Sequence, residues 1–278
     1  MAEVKPITAR AIRPNAGLEA AYRRRLKKMM REMHQSVLYW LTAEYRRQED
    51  RIVMDESPVS ALTSRMEKLF RQWRRRLDET ADEVARWYVE NNVKYSKTSL
   101  MAALKEAGFT VEMVDSRHFK NIVQAAIGQN VNLIKSIGEN YYARVQGAVM
   151  RSVMAGRDLG SLVKELKSGY GITARRAELI ARDQTQKAMN ALTRARYEDM
   201  GVTRAIWRHN AGGSKTYRDS HVDMDGHEFD LAKGMWDPAV GKYIQPGELP
   251  FCKCTYRAVL SAFGREGTKE APDFKRAA

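Results

Sequence analysis

The sequence predicts an α+β protein in which a region of long helices is followed by a small mixed α+β domain. In the first part of the chain, apolar residues recur every three or four positions over long stretches, which is the spacing of one face of a helix. After residue 201, glycine, proline and aspartate separate short β-branched and aromatic segments. This second pattern is typical of short strands joined by turns.

Length and composition favour a protein that folds around its own core. The chain has 278 residues, of which 44% are hydrophobic, so a sizeable core can be buried. Only two cysteines are present, so no disulfide framework is expected and a reducing compartment is indicated. The first 15 residues carry charges and two prolines, and no run of about 18 apolar residues occurs. We therefore expect a soluble protein synthesised in the cytosol, with no membrane partner.

Two long amphipathic helices are predicted first. One apolar stripe runs from Leu18 to Trp40 and the second from Leu62 to Trp87. Each indicates a helix of about 30 residues. In the break between them, Ser57 can cap a helix and Pro58 fits a first helical turn. The two helices together predict an antiparallel helical hairpin.

Shorter helical segments follow. Residues 96–107 indicate a short helix that ends at Gly108. Another is expected to start with Asp115 or Ser116 as its cap, to be interrupted at Gly138, and to be followed by a further helix to about residue 154.

A glycine-rich stretch then separates a short helix around residues 158–168 from a strong helix at 173–201. Thr173 is its predicted cap and Gly201 its terminator. A hinge near Gly156 is an open possibility.

Strands are expected beyond the last long helix. Residues 202–210 have strand character, residues 211–250 indicate loops around short strands, and residues 252–260 indicate a closing strand. The last 15 residues have almost no apolar content, which is typical of a flexible tail.

The predicted domains are a helical region at 1–155 with basic faces for docking, an α+β domain at 156–260 and a tail at 261–278.

The charge distribution favours a polyanionic partner. The formal net charge is +14, and the excess lies on residues 1–200 and on the last segment, whereas residues 201–250 are slightly acidic. Nucleic acid is the first candidate, and a solvated basic helical face is the alternative. Stacking aromatics do not interleave with the arginine clusters, so base-specific recognition is not expected. The candidate DNA contacts are Arg23, Arg24, Arg25, Arg74, Arg75 and Arg76.

Histidine and cysteine are concentrated near the C-terminal end. His209, His221 and His227 lie in the same short part of the chain as Cys252 and Cys254. A zinc site is one interpretation, with His209, His221 and the two cysteines as candidate ligands. Against it, one intervening residue makes it hard for two thiolates on an extended strand to reach one ion, so two buried core cysteines are the alternative. A redox pair is disfavoured because C-x-x-C at a helix start is missing.

Two other chemistries can be tested against this segment. A calcium loop beginning at His221 would place Ala232 where a bidentate glutamate is required, so that interpretation fails. A metal-dependent nuclease remains an alternative, with His221 as general base and Asp223, Asp225 or His209 near a divalent ion.

The order of the C-terminal elements resembles the phage Mu F-like family of minor head proteins, also described as head-morphogenesis proteins. The matching pattern combines a helix, a glycine, a tryptophan-bearing strand, an Arg-x-x-His, a second glycine, a Pro-Gly and a Cys-x-Cys. These positions are residues 181–185, Gly201, Trp207, Arg218, His221, Gly226, Pro246, Gly247, Cys252 and Cys254. Asp183 and Gln184 depart from the Thr-Glu of the family pattern, which puts a carboxylate role at 184 in doubt.

The resemblance implies a non-enzymatic minor capsid protein of a tailed bacteriophage. Such a protein would lie inside the head near the portal after assembly in the host cytoplasm, and would act in procapsid assembly and in genome packaging or ejection. The implied partners are the portal protein, the major capsid or scaffold protein, and double-stranded DNA without sequence preference. No catalytic residue and no cofactor are expected, with zinc as the open alternative. The motif would form a structural clamp of Trp207, Arg218, His221, Gly226, Cys252 and Cys254.

Overall fold

The computed structural model describes residues 7–49, 58–155, 159–210 and 217–260, and within these it confirms the α+β class. Five helices are described, and the first four are long. Their bounds are α1 Ala16–Glu49, α2 Pro58–Glu106, α3 Arg117–Met154, α4 Leu159–Asp199 and α5 Asp219–Asp223. Ser57, Gly156 and the tail at 261–278 lie outside the described residues.

The chain forms two compact units that interleave along the sequence. One consists of Ala20–Trp87 and Ile127–Ala181, and the other of Met1–Glu19, Tyr88–Ala126 and Arg182–Ala278. The predicted boundary at 155/156 separates a region for docking from the α+β domain, and it stays a prediction.

The first unit is an up-down-up-down four-helix bundle, called the bundle below. Each helix is antiparallel to the next, and α4 returns beside α1, because paired residues advance along one helix as they retreat along the other. The pairs are Met29–Thr80 and Glu44–Arg65, Phe70–Tyr142 and Asp78–Lys135, Ser136–Arg176 and Arg151–Glu165, and Arg23–Glu178 and His34–Tyr170. The predicted antiparallel hairpin of the first two helices is confirmed. Short connections between consecutive helices are typical of such a bundle.

Three polar pairs tie α1 to the diagonally placed α3. The Tyr22 hydroxyl donates to Asn130 Oδ1 at 2.9 Å, His34 Nδ1 lies 2.7 Å from the Tyr141 hydroxyl, and the Tyr45 hydroxyl donates to Ser152 Oγ at 2.9 Å. The pairs recur every 11 or 12 residues, which is about three helical turns, so they lie on one face of each helix. All six side chains are buried. The bundle core therefore contains a ladder of hydrogen bonds among its apolar side chains.

Several helix ends agree with the sequence. Gly108 and Gly201 end α2 and α4 with φ of 91° and 77°, a conformation that glycine adopts without steric cost. Ser116 caps α3, since its hydroxyl accepts the Phe119 N–H at 2.9 Å.

The predicted breaks inside the helices were wrong. Residues 96–107 continue α2, α3 passes through Gly138, and α4 passes through Gly169 and Gly171. At Gly138 a Cβ would overlap Leu77 Cδ1, so this glycine permits close helix packing and does not mark an end.

Thr173 is not a helix cap. Its hydroxyl donates to the Gly169 carbonyl four residues earlier at 2.9 Å, inside α4. Packing of the apolar face therefore outweighs the weak helix propensity of two nearby glycines.

The described residues of 204–258 (204–210 and 217–258), called the strand region below, form five short strands. These are β1 Arg204–Arg208, β2 Glu228–Asp230, β3 Met235–Asp237, β4 Lys242–Ile244 and β5 Thr255–Ala258. β1 lies between β2 and β5, antiparallel to both, and β3 pairs with β4 in a two-stranded sheet. The predicted strand at 202–210 is confirmed. The predicted closing strand begins only at Thr255, so both cysteines lie in the preceding loop.

The second unit has its own apolar core, to which α2, α4 and both sheets contribute. It includes Leu100, Met189, Trp207, Phe229 and Ile244. Burial alternates along β1, so Ala205 and Trp207 face inward. None of the helices within the described ranges has an apolar stretch that could cross a membrane.

Candidate functional site

Trp207 is the apolar centre of the candidate site. It lies on the inward face of the central strand β1, where it is completely buried and paired in register with Tyr256 of β5. Phe229 contacts its ring edge-to-face with centroids 5.8 Å apart, and His221 contacts it at 5.5 Å. The tryptophan thus holds β2, β5 and α5 against β1.

Gly226 and Arg218 position the histidine-bearing segment. Gly226 has φ of 81° and donates its N–H to the Trp207 carbonyl, while the Trp207 N–H is bonded to the carbonyl of His227. Arg218 precedes α5, and its guanidinium donates to the Pro250 carbonyl at 3.2 Å. His221 on α5 is consequently directed into the core, with 2% of its surface exposed.

The two cysteines lie in a tight loop. Phe251 has φ of 59°, and the Cys252 N–H donates to the Leu249 carbonyl at 3.0 Å. The Phe251 N–H donates to Asp183 Oδ1 of α4 at 2.7 Å. A loop held in this way can turn two sulfurs separated by one residue toward the same point, which an extended strand could not do.

Amide side chains of α4 hold the loop from the other side. Asn190 Nδ2 donates to the carbonyls of Pro246 at 2.7 Å and Cys254 at 2.9 Å, and Gln186 Nε2 donates to the Cys254 carbonyl at 3.1 Å. Gly247 has φ of 79°, and a Cβ there would overlap Asn190 Nδ2. The glycine of the Pro-Gly pair is therefore explained by the close approach of Asn190.

His221, Cys252 and Cys254 converge on one point. Cys252 Sγ lies 3.4 Å and Cys254 Sγ 3.6 Å from His221 Nδ1, and the three ligand atoms all lie within 4.8 Å of one another. All three residues are buried, and both cysteines are free thiols. His209, half-buried just after β1, places Nδ1 3.6 Å from Cys254 Sγ.

Asp237 lies behind this cluster at the end of β3. Its side chain is fully buried, Oδ1 accepts the Ala239 N–H at 2.9 Å, and Oδ2 lies 3.3 Å from His221 Nε2. A carboxylate on one imidazole nitrogen fixes the ring and leaves the other nitrogen to the two sulfurs.

The two thiols differ in their ease of ionisation. A hydrogen bond from Cys254, together with His221, lowers the pKa of Cys252 to about 4 against the opposing effect of burial. Hydrogen bonding to Cys252 and burial raise the pKa of Cys254. Cys252 is therefore the more easily ionised thiol, and sulfur together with imidazole nitrogen is a donor set suited to a soft divalent metal.

The remaining predicted residues lie elsewhere. His227 is exposed and is not part of the cluster, and Asp225 accepts the His209 N–H with its carboxylate. The six candidate DNA contacts belong to the bundle, on α1 and α2.

Sequence reasoning missed four residues of the site. Asp183, Gln186 and Asn190 form a polar stripe at helical spacing on α4, a signal that could have indicated a contact face. Asp237 gave no comparable signal, because β3 and its orientation toward His221 arise only from the tertiary fold. The departure at Asp183 has a structural role, since its carboxylate accepts the Phe251 N–H of the cysteine loop.

Comparisons with known proteins match the part of the chain that contains the candidate site. Residues 143–257 match the family model described as phage Mu protein F like protein. An uncharacterized protein of Haemophilus influenzae (strain ATCC 51907 / DSM 11121 / KW20 / Rd) is 31% identical over 186 residues, which cover 65% of this chain and 39% of the relative. The chain thus spans about two fifths of that relative's length. No solved structure matches this chain. Residues 143–257 of this chain are thus similar to the phage Mu protein F like family.

Proposed function

We propose that the chain is a non-enzymatic minor capsid protein of a tailed bacteriophage that acts in head assembly at the portal vertex and lies near the packaged DNA. The observation that carries the proposal is the family match at 143–257, together with the burial of four motif residues, Trp207, His221, Cys252 and Cys254. A buried motif is expected of a module whose fold is required, because a catalytic site must admit its substrate.

Exposed aromatic side chains support docking of the bundle onto another head protein. Tyr39 is 65% and Trp40 40% exposed, and their rings contact edge-to-face at 5.1 Å on α1. Exposed aromatics on a long helix are typical anchors for a protein partner. The proposed partners are the portal protein and the major capsid or scaffold protein.

Three of the six arginine candidates are available for DNA. Arg23 pairs with Glu178, Arg76 pairs with Glu32, and Arg25 lies over Trp87 at 3.9 Å. The other three are exposed and have no ion pair with the described residues; they are Arg24, Arg74 and Arg75. These three are the proposed phosphate contacts.

The DNA proposal is tested by the salt dependence of binding to unrelated duplexes. Affinity should fall steeply between low and physiological salt, with little sequence preference. Replacing Arg24, Arg74 and Arg75 by glutamine should lower the slope by about one for each lost contact. Replacing the paired Arg76 serves as the matched control. Equal retention of DNA over the whole salt range would contradict the proposal.

The nuclease alternative is less well supported by the geometry. A general base must reach the proton that it removes. The two ring nitrogens of His221 face Cys252 and Asp237 inside the core, and little of the ring is exposed. A plasmid-nicking assay with added divalent cations tests the alternative directly. Nicking that disappears in His221→Ala would favour the nuclease.

Location in the virion tests the main proposal. Heads from the phage or prophage that encodes the chain should be purified on a density gradient and probed with an antibody against it. We expect the chain in a few copies per head and retained after washing with high salt. A chain that stays entirely at the top of the gradient would overturn the proposal.

A further inference from the structure

The buried cluster has the ligand types and distances of a zinc site. Around one tetrahedral ion with Zn–S of about 2.3 Å and Zn–N of about 2.0–2.1 Å, a sulfur and a nitrogen ligand lie about 3.6 Å apart. Within the cluster, the distances from Cys252 Sγ and Cys254 Sγ to His221 Nδ1 are 3.4 Å and 3.6 Å, and the neighbouring His209 Nδ1 lies 3.6 Å from Cys254 Sγ. The side chains that provide these atoms are His209, His221, Cys252 and Cys254.

Hydrogen bonding at the His221 ring accounts for only one of its two sulfur contacts. His221 Nδ1 has a single lone pair, yet two sulfurs lie at nearly the same distance from it. A thiol hydrogen bond uses that lone pair once and leaves the second sulfur without a partner at the ring. A metal ion between the three atoms accepts all of them at once.

Asp237 provides an independent observation in favour of a metal ion at His221. Its carboxylate is fully buried, and neither Asp237 Oδ2 nor His221 Nε2 has a hydrogen bond of good geometry with the described residues, although they lie 3.3 Å apart. A buried carboxylate oxygen without a hydrogen bond is costly. When imidazole binds a metal through one nitrogen, the other usually donates to a carboxylate, and Asp237 is placed for this role toward His221.

The local backbone removes the objection raised by the C-x-C spacing. Both cysteines lie in the loop bent at Phe251, not on the strand. A cavity of about 260 Å³ reaches Cys252 and is also lined by Glu19, Asp183 and Lys253. This cavity gives an ion access from solvent.

We infer that this chain binds one Zn²⁺ through His221 Nδ1, Cys252 Sγ and Cys254 Sγ, with His209 as the fourth ligand. Four protein ligands leave no position for substrate or activated water, so the site is structural. The ion cross-links three short segments: the end of β1, α5 and the loop before β5. Thiolate and imidazole ligands select zinc over the hard cations magnesium and calcium.

Elemental analysis of the full-length chain tests the inference. The chain should be expressed in zinc-supplemented medium and purified without a histidine tag. We expect one zinc per chain, and thiols that react slowly until a chelator is added. Substoichiometric zinc, with both thiols equally reactive with and without chelator, would overturn the inference.

Cobalt provides a readout that does not depend on a variant that folds. Wild-type protein stripped of metal and titrated with Co²⁺ should develop a thiolate-to-metal charge-transfer band and intense visible bands of tetrahedral cobalt, saturating at one equivalent. Absence of the charge-transfer band would contradict thiolate ligation.

Single variants then assign the ligands. Cys252→Ser and His221→Ala should abolish stoichiometric metal, and His209→Ala should weaken it and change the visible cobalt bands. His227→Ala, an exposed histidine of the same region, should retain one metal per chain. Full metal retention by the Cys252 variant would overturn the assignment, and unchanged cobalt bands in the His209 variant would overturn the role of His209.

Discussion

In the bundle, each helix satisfies its own backbone hydrogen bonds over many turns, whereas the strands of the strand region are only three to five residues long. The bundle distributes burial over four long apolar faces. The strand region depends on one tryptophan, the histidine–cysteine cluster and the amide bonds from Asn190 and Gln186. A single substitution should therefore lower the free energy of unfolding more in the strand region than in the bundle, because fewer contacts stabilise the strand region.

Trp207→Ala should have the largest effect. It removes a fully buried side chain from the centre of the sheet, and we expect a loss of about 3–5 kcal/mol in the free energy of unfolding. Trp236→Ala is the matched control, because Trp236 is 51% exposed on β3 and should cost far less. Urea unfolding followed by circular dichroism measures both. Equal costs would show that the strand region does not depend on its core tryptophan.

Gly234→Ala should have the next largest effect. Gly234 has φ of 87°, and a Cβ there would overlap the backbone carbonyl of Ile244. Gly241 also has positive φ, 65°, but its surroundings are open, so Gly241→Ala measures the conformational strain alone. We expect Gly234→Ala to cost about 1–3 kcal/mol more than the control. Thermal unfolding of the two variants tests this, and identical melting temperatures would contradict it.

Tyr45→Phe should have a smaller effect in the bundle. It removes the hydroxyl that donates to Ser152 in the buried ladder, at a cost of about 1 kcal/mol. Tyr39→Phe, at a position 65% exposed, should be close to neutral. A loss from Tyr45→Phe as large as that from Trp207→Ala would reverse the comparison between the two regions.

The pH dependence contributed by His34 should be the smallest effect. Burial and then the nearby Lys167 lower the pKa of His34 below its usual 6.5, so the unfolded chain binds this proton more readily than the folded chain. Its contribution to stability is complete above pH 6.5 and declines as the pH falls below that value. Unfolding midpoints above and below pH 6.5 should differ less in His34→Gln than in wild type. His227→Gln is the control and should keep the wild-type difference.

Several helix ends were predictable from the sequence because their signals are local. The caps and terminators Ser116, Gly108 and Gly201 act through hydrogen bonds and backbone angles within a few residues. The helix break predicted at Gly138 was wrong because the role of this glycine depends on Leu77, which is distant in sequence. The contact of Asp237 with His221 and the position of the cysteines in a loop also depend on residues distant in sequence, so they could not be predicted. The motif predicted the resemblance that the family match at 143–257 supports, but the geometry of the motif became visible only in the fold.

The measurement that tests the functional claim most directly is complementation of a phage deleted for this gene. Heads would be counted by electron microscopy and their DNA content measured, with plasmid-borne wild type, Trp207→Ala or Trp236→Ala supplied in the host. We predict few normal DNA-filled heads in the deletion, rescue by wild type and Trp236→Ala, and no rescue by Trp207→Ala. Normal numbers of filled heads without the chain would contradict a role in head assembly.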